Sequence, residues 1–374
     1  MNARMEVPSF TLRRQIADIG KELSQTMETV LETGQFVLGP AVRQFEEQIA
    51  QYTHSRYAVG VGNGSDALYL ALRALNIGPG DEVLTTPFTF FATVGSILRT
   101  GAKPVFTDIQ VDTFNMDPEQ IRTRITPRTR AVLPVHLFGL MADIETIRRN
   151  AKLFIIEDAA QAIGADLRGT MAGSAGDLAA FSFFPTKNLG ALGDGGMVTA
   201  QAEELAESLR ALRAHGSRKK YYHEVLGINS RLDALQAAVL SIKLAYLPVW
   251  TAKRQRLAKR YDEGLSALGL DDVRTPVVPP GFTHVFHQYT IRSGRRDQLQ
   301  SYLKNRGVGS TVYYPLSVHL QPVLQDLGYR KGAFPVSERA QEEVLSLPMF
   351  PELSDQEVDY VIGAIGEFYG RRAG

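Results

Sequence analysis

Apolar residues recur at helical spacing over residues 11–33 and again over 40–52, and the spacing predicts two helices there. Gly34 and the loop GQFVLGP stop the first. From residue 57 the texture changes. YAVGVG (57–62) is an unbroken apolar run and reads as a buried strand, NGSD turns the chain, and ALYLALRAL (67–75) reads as a helix. The alternation then repeats. GPGDEVLTTP gives a turn and a strand, FFATVGSILRTG a helix, KPVFTDI a strand, and TRAVLPVHLFG (129–139) another strand. Residues 142–151 read as a helix, followed by strands in KLFIIED (152–158), AAFSFF (179–184) and GGMVTA (195–200). Short apolar strands that alternate with helices predict an α/β fold: a mostly parallel sheet flanked by helices on both faces.

Residues 202–215 and 232–262 read as long helices. Beyond about residue 265 the pattern differs: HVFHQYTIRS reads as a strand, DQLQSYLKNRG as a helix, and 354–370 as a helix. The expected division is a large domain over 1–250, which includes the N-terminal helical segment, and a smaller C-terminal α+β domain over 251–374. The pattern contains no repeat and no low-complexity segment.

Composition narrows the function classes. The 374 residues carry a net charge of +1 and are 44% hydrophobic and 22% charged, which suits a globular chain of two domains. A charge so near zero gives no reason to expect nucleic acid or an anionic membrane as partner. Cysteine is absent, which removes disulfides and thiolate metal sites. The seven histidines show no HxH or HxxxH spacing, so no metal site is expected. The first twenty residues lack the apolar core of a signal peptide, and no run of 18 apolar residues suggests a membrane span. By elimination, the expectation is a cytoplasmic enzyme.

Three stretches carry candidate chemistry. NGSDA (63–67) lies between a strand and a helix, where backbone N–H groups bind phosphate. It lacks the lysine of a P-loop and the third glycine of a dinucleotide fingerprint, and Ser65 or Asp66 would equally serve as a helix cap. IIEDAAQAIGA (155–165) puts two acids at the end of a buried strand, where ligands of open α/β sheets bind; a helix cap is the plainer reading. FSFFPTKNLGALGDGG (181–196) puts Lys187 between aromatic and glycine-rich residues. A surface lysine whose stem snorkels would fit there. A lysine held near apolar groups, however, loses solvation, and its amine form becomes a nucleophile toward carbonyls. Taken together, the stretches offer an amine for an aldehyde, a carboxylate for a ring cation and amides for a phosphate, the three handles of pyridoxal 5′-phosphate. His136 in PVHLFG reads either as facing a ligand or as a satisfied loop histidine. SRKKYY (217–222) reads as a solvated face with room for anion recognition.

GQFVLGP, GNGSDAL, GPGDEVLTTPFTF, ITPRT, PVHLFG, IEDAAQAIGA, FSFFPTKNLGALGDGG, GINSRLDALQAA and LSLPMF follow one another over nearly the whole chain. In this order they resemble the sugar-nucleotide aminotransferases of the DegT/DnrJ/EryC1 group, within fold type I of the pyridoxal-phosphate enzymes. The resemblance implies that Lys187 bonds to the cofactor and that Asp158 pairs with its ring nitrogen. It implies that Gln161 contacts the ring hydroxyl and that Phe88 stacks on the ring. Ser65 and Asp66 would meet the phosphate through backbone N–H groups and Ser182 through its hydroxyl. Asn229 would reach the phosphate of a neighbouring subunit, in a homodimer with shared sites. Arg231, Tyr313, Tyr314 and His319 would contact substrate; some relatives have histidine in place of Tyr313. One branch of the family replaces the lysine by histidine and dehydrates its substrate; this sequence keeps lysine, which implies transamination from L-glutamate to a nucleotide-linked keto-sugar. A keto-inositol or other cyclic ketone as acceptor, a non-catalytic sugar-binding regulator of the same fold, and a nicotinamide-dependent oxidoreductase are the rival readings. The first differs in substrate alone. The second would be marked by loss of Lys187 or Asp158, and the third needs a complete glycine fingerprint.

Overall fold

Strands with no polar face must be covered on both sides. In the computed structural model, which describes residues 5–371, they form the centre of a seven-stranded sheet. Its strands are β1 (Tyr57–Val61), β2 (Glu82–Thr85), β3 (Lys103–Phe106), β4 (Thr129–Val132), β5 (Phe154–Asp158), β6 (Leu178–Ser182) and β7 (Gly196–Ala200). The spatial order is β1-β7-β6-β5-β4-β2-β3. All neighbours pair in parallel except β7, which runs antiparallel to both β1 and β6. Successive strand residues point to opposite faces. Accordingly Leu84, Val132, Ile155 and Ala179 join one apolar cluster, while Val83, Ala131, Ile156 and Ala180 join another. Helices Gly64–Ala74, Phe91–Arg99 and Ile144–Asn150 lie in the crossovers between parallel strands. The fold is α/β with a mostly parallel sheet, as the periodicity predicts.

Two strands are shorter than the apolar runs suggest. β4 stops at Val132, because Pro134 has no N–H to continue a ladder in the sheet interior; Val135 makes only an isolated bridge to Asp158. The strand expected from His284 begins at Tyr289. Residues 284–288 instead leave the ladder and pass the candidate site. Helix Pro335–Glu343, strand Val344–Leu347 and the hairpins around 166–171 and 217–223 were not expected from the pattern. All but the helix are runs of two to four residues, too short to show a period.

The helix Ala234–Ala267 joins the domains. Ala237, Leu240 and Leu247 pack in the large-domain cluster, whereas Leu257, Tyr261 and Leu265 pack in the small-domain cluster. The expected boundary at residue 250 therefore falls inside a continuous helix and not in a linker. By length and composition this helix could also cross a bilayer, although it holds no unbroken apolar run of that length; half of its most apolar stretch is buried inside the protein. The N-terminal segment needs a second correction. Val7 is buried in the small-domain cluster and pairs with Gly307 and Gly309 through hydrogen bonds of 2.9 and 2.8 Å. The first described residues thus belong with the small domain, whose sheet comprises Val273–Arg274, Tyr289–Ser293 and Val344–Leu347.

Candidate active site

The C-terminal ends of β5 and β6 open into a cavity of about 600 Å³ that also meets the start of helix Gly64–Ala74 and, from the small domain, Val312, Tyr313 and Tyr314. Open α/β sheets bind ligands at this edge.

Lys187 lies in the connection between β6 and β7. Its N–H donates to the Phe184 carbonyl (2.8 Å), and the Ala191 N–H donates to the Phe183 carbonyl (2.8 Å). The turn folds back closely on itself: a Cβ at Gly190 would lie 2.3 Å from the Pro185 oxygen. Glycine is required there for space. The side chain of Lys187 lines the cavity. Burial lowers its pKa to about 8, against the pull of the Asp158 charge. A shift of that size raises the neutral fraction at pH 7 by roughly 300-fold over a free lysine.

Asp158, the last residue of β5, is buried. Thr93 Oγ1 donates to its Oδ2 (2.7 Å), and the Ala160 N–H donates to its Oδ1 (3.3 Å). Burial pushes its pKa up; Thr93, Ala160, Lys187 and His136 oppose that rise. Thr89 and Thr93 share a 2.9 Å hydrogen bond. Because a carboxylate only accepts, Thr93 donates to Asp158 and Thr89 donates to Thr93. The adjacent Glu157 points the other way and is fully engaged: it accepts from the Gly173 and Gly176 N–H groups at 3.1 and 2.7 Å and meets His136 Nε2 at 2.7 Å. His136 Nδ1 accepts the Ala142 N–H (3.0 Å), so Nε2 carries the ring proton. His136 is a satisfied core histidine.

Gln161 lines the cavity with both ends of its amide fixed. Its Oε1 accepts the Phe138 N–H (2.7 Å), and its Nε2 donates to the Tyr314 hydroxyl (3.1 Å). The helix start supplies the anion corner. Asn63 caps it, with Oδ1 accepting the Asp66 N–H (2.8 Å). The Asp66 N–H donates to that cap, and its carboxylate pairs with Arg99 (2.8 Å), while Asp66 itself does not line the cavity. The N–H groups of Gly64 and Ser65 have no acceptor among the described residues. Ser182 lies beside them, so close that a Cβ on Gly64 would be 2.7 Å from the Ser182 Cβ. Gly64, Ser65 and Ser182 all line the cavity. Two unpaired helix-start amides and a hydroxyl fit a phosphate group, Lys187 fits an aldehyde, and Asp158 fits a ring cation.

Of the phenylalanines that follow β2, the expected Phe88 does not line the cavity. Phe88 is fully buried, packed on Phe114 with ring centroids 6.0 Å apart. Phe90 lines the cavity instead, 59% exposed and 6.1 Å from the Tyr314 ring. Tyr313 and Tyr314 do face the cavity. His319 does not: it is buried, 3.1 Å from Glu338 and edge-on to Phe334. Asn229 is exposed and, like the half-buried Arg231, lies outside the cavity of its own chain. Sequence reasoning missed Phe90, Thr93, Asp194 and His287. His287 lines the cavity, and burial, with Lys187, Arg254 and His284 nearby, keeps it neutral. Asn188 Nδ2 donates to the Val285 carbonyl (3.1 Å), which turns its Oδ1 toward His287 Nδ1 (3.2 Å).

Comparison with known proteins places this geometry. The DegT/DnrJ/EryC1/StrS aminotransferase family model matches residues 17–366. A "Pleiotropic regulatory protein" of Geobacillus stearothermophilus is 52% identical over 98% of this chain and 99% of its own. The dTDP-3-amino-3,4,6-trideoxy-alpha-D-glucose transaminase of Streptomyces venezuelae is 44% identical over 99% of each chain. Among solved structures, S. venezuelae DesV in complex with a ketimine intermediate has a TM-score of 0.95 at 44% identity, covering 98% of this chain and 99% of that one. NtdA of Bacillus subtilis with bound cofactor PMP has a TM-score of 0.92 at 34% identity, covering 99% of this chain and 87% of that one. With sequence, fold and the Lys187–Asp158 pair in agreement, the chain belongs to the DegT/DnrJ/EryC1/StrS aminotransferase family and is an aminotransferase.

Proposed function

We propose that the protein binds pyridoxal 5′-phosphate and transfers an amino group from L-glutamate to a keto-sugar carried on a nucleotide, as a homodimer with shared sites. The observation that carries this reading is one cavity holding a desolvated lysine amine, a buried carboxylate and unpaired helix-start amides. The name of the S. venezuelae transaminase supports the sugar nucleotide as substrate class.

When bound, the cofactor supplies an electron-withdrawing ring that stabilises the charge left as a proton leaves the amino donor. The protein's own groups do the rest. Gly64, Ser65 and Ser182 hold the phosphate, and the Phe90 ring offers a flat apolar wall. Asp158 holds a proton on the ring nitrogen, and Thr93 keeps Asp158 ionised. Lys187 would hold the aldehyde carbon, and its amine, when not so bonded, would take a proton from the donor α-carbon as base and deliver it as acid to the former aldehyde carbon. Gln161 and Tyr314 orient the ring edge. Asp194, His287, Gln288 and Tyr313 line the remaining polar wall, where a sugar with several hydroxyls finds donors and acceptors. The exposed Asn229 is free to enter a partner subunit's site.

The regulator reading has one observation in its favour, the name of the Geobacillus relative. Against it, Lys187, Asp158 and Thr93 are all in place, and sugar binding alone needs none of them. The test is direct. Protein supplied with pyridoxal phosphate should absorb in the visible, and borohydride should fix the cofactor on Lys187, located by peptide mass. Glutamate with a panel of dTDP-, UDP- and GDP-keto-sugars, and a keto-inositol, should then reveal the acceptor. No borohydride adduct on Lys187 would sink the proposal; an adduct without turnover on any ketone would favour the regulator.

A further inference from the structure

The helix Ala234–Ala267 holds the Lys187 turn at two points. Gln236 Oε1 accepts the Leu192 N–H (2.8 Å), and Lys243 Nζ donates to the Gly190 carbonyl (2.7 Å). Positions 236 and 243 are two helical turns apart on one face. Lys243 is completely buried. Among the described residues it makes no ion pair; Glu352 acts on it only from a distance, and burial lowers its pKa to about 8. A buried amine with one acceptor is a costly filler for space that an unbranched apolar side chain of similar length would occupy without penalty. The bond it makes is to the backbone three residues beyond Lys187, in the turn closed so tightly at Gly190. The same helix continues into the small-domain core through Leu257, Tyr261 and Leu265.

We propose that Lys243 is a positioning residue for transamination: through the Gly190 carbonyl it sets where the Lys187 turn stands above the sheet and ties that turn to the helix that carries the small domain. It touches neither substrate nor cofactor. The bond survives loss of a proton, because a neutral amine still donates. Asn188 of the same turn is held by Val285 and His287, so the turn that carries the amine is fixed both by the helix and by the segment around 285–287. The inference rests on Lys187 as the cofactor-bearing lysine.

The test compares Lys243→Met, which keeps length and loses the donor, with Lys243→Gln, which keeps an uncharged donor, both as holoenzymes. Lys243→Met should lose about 10-fold or more in kcat, with KM for each substrate within about 2-fold. The pH midpoint of the visible band from cofactor on Lys187 should move by about half a unit or more. The thermal midpoint of the apoprotein should stay within about 4 °C of wild type. Lys243→Gln should fall between the two. Wild-type kcat and an unmoved spectral midpoint in Lys243→Met would overturn the proposal, as would a lower thermal midpoint with an unmoved spectral one, which marks plain structural support. If Lys243→Met does not fold, Lys243→Gln decides by the same two readouts. A wild type without a borohydride-fixed band on Lys187 would instead refute the proposed function, and this inference with it.

Discussion

Thr93→Val replaces the hydroxyl by a methyl group and keeps the branched shape of the side chain. Thr93 is fully buried, and its hydroxyl is 2.7 Å from Asp158 Oδ2. A hydrogen bond to a charged group contributes about 1.5–3 kcal/mol. At 1.36 kcal/mol per unit, its loss should raise the Asp158 pKa by about 1–2 units. The direction is set by what remains. Burial already pushes this pKa up, and Thr93 leads the groups that oppose it. The variant's Asp158 therefore takes up a proton at higher pH, and a protonated acid cannot stabilise a ring cation. The acid limb of the kcat/KM profile should move to higher pH by about 1–2 units, while the rate well above that limb stays within about 3-fold of wild type. Stability follows the same sign. A carboxyl whose folded pKa is raised favours the fold most at low pH and loses that contribution as pH rises through the folded value. The variant apoprotein should thus be less stable than wild type at pH 7, and the difference should shrink as the solution is acidified. The assays are a pH–rate profile, a pH titration of the visible band and thermal unfolding at two pH values. An unmoved acid limb together with an unmoved band, in a variant that folds normally, would refute the role of Thr93 in holding Asp158 ionised.

Asp158→Asn keeps the shape without the charge and should slow the half-reaction with glutamate by about 10²-fold; an unchanged single-turnover rate would reduce Asp158 to a structural acid. Phe88→Ala should cost about 3–5 kcal/mol in denaturant unfolding, because its ring is fully buried. Phe90→Ala should leave unfolding nearly unchanged and weaken cofactor binding about 3–10-fold in equilibrium titration; the reverse pattern would return the platform role to Phe88. Inactive Lys187→Ala and inactive Asn229→Ala subunits, once exchanged, should regain activity, because one mixed site then carries neither lesion. Proven exchange without recovery would show that Asn229 acts within its own chain.

Legibility of the sequence followed the physics of each segment. β1 and β5 could be read because a strand buried on both faces is an unbroken apolar run between turn signals. Lys187 stands out by its apolar and glycine-rich surroundings and Asp158 by its place at a strand end, whereas Gln161 enters only through the family resemblance; the fold brings all three to one cavity. Phe88 and Phe90 could not be told apart, because the chain after β2 obeys neither period: residues 83–89 are all buried, and Phe90 and Phe91 are the first to turn outward. The place of Asp66 could not be read because the caps of a helix compete for the same few N–H groups, and Asn63 takes the one Asp66 carries. His319 sits in a motif but is drawn into a core by Glu338, and no local pattern reveals a partner nineteen residues away. Thr93 and His287 act through residues 65 and 99 positions distant, which only the folded chain brings together.

The reversed strand β7 has a consequence for redesign. The links from β2 to β3 and from β4 to β5 run through the helices Phe91–Arg99 and Ile144–Asn150, so altering either of them disturbs a helical layer. β6 and β7 are instead joined by a hairpin, with register fixed from Leu178↔Ala200 to Ser182↔Gly196. The reactive amine therefore rides on a link that can be lengthened, shortened or exchanged without re-threading the architecture. Its anchorage to neighbouring segments, not the topology of the sheet, sets how far such a graft can go.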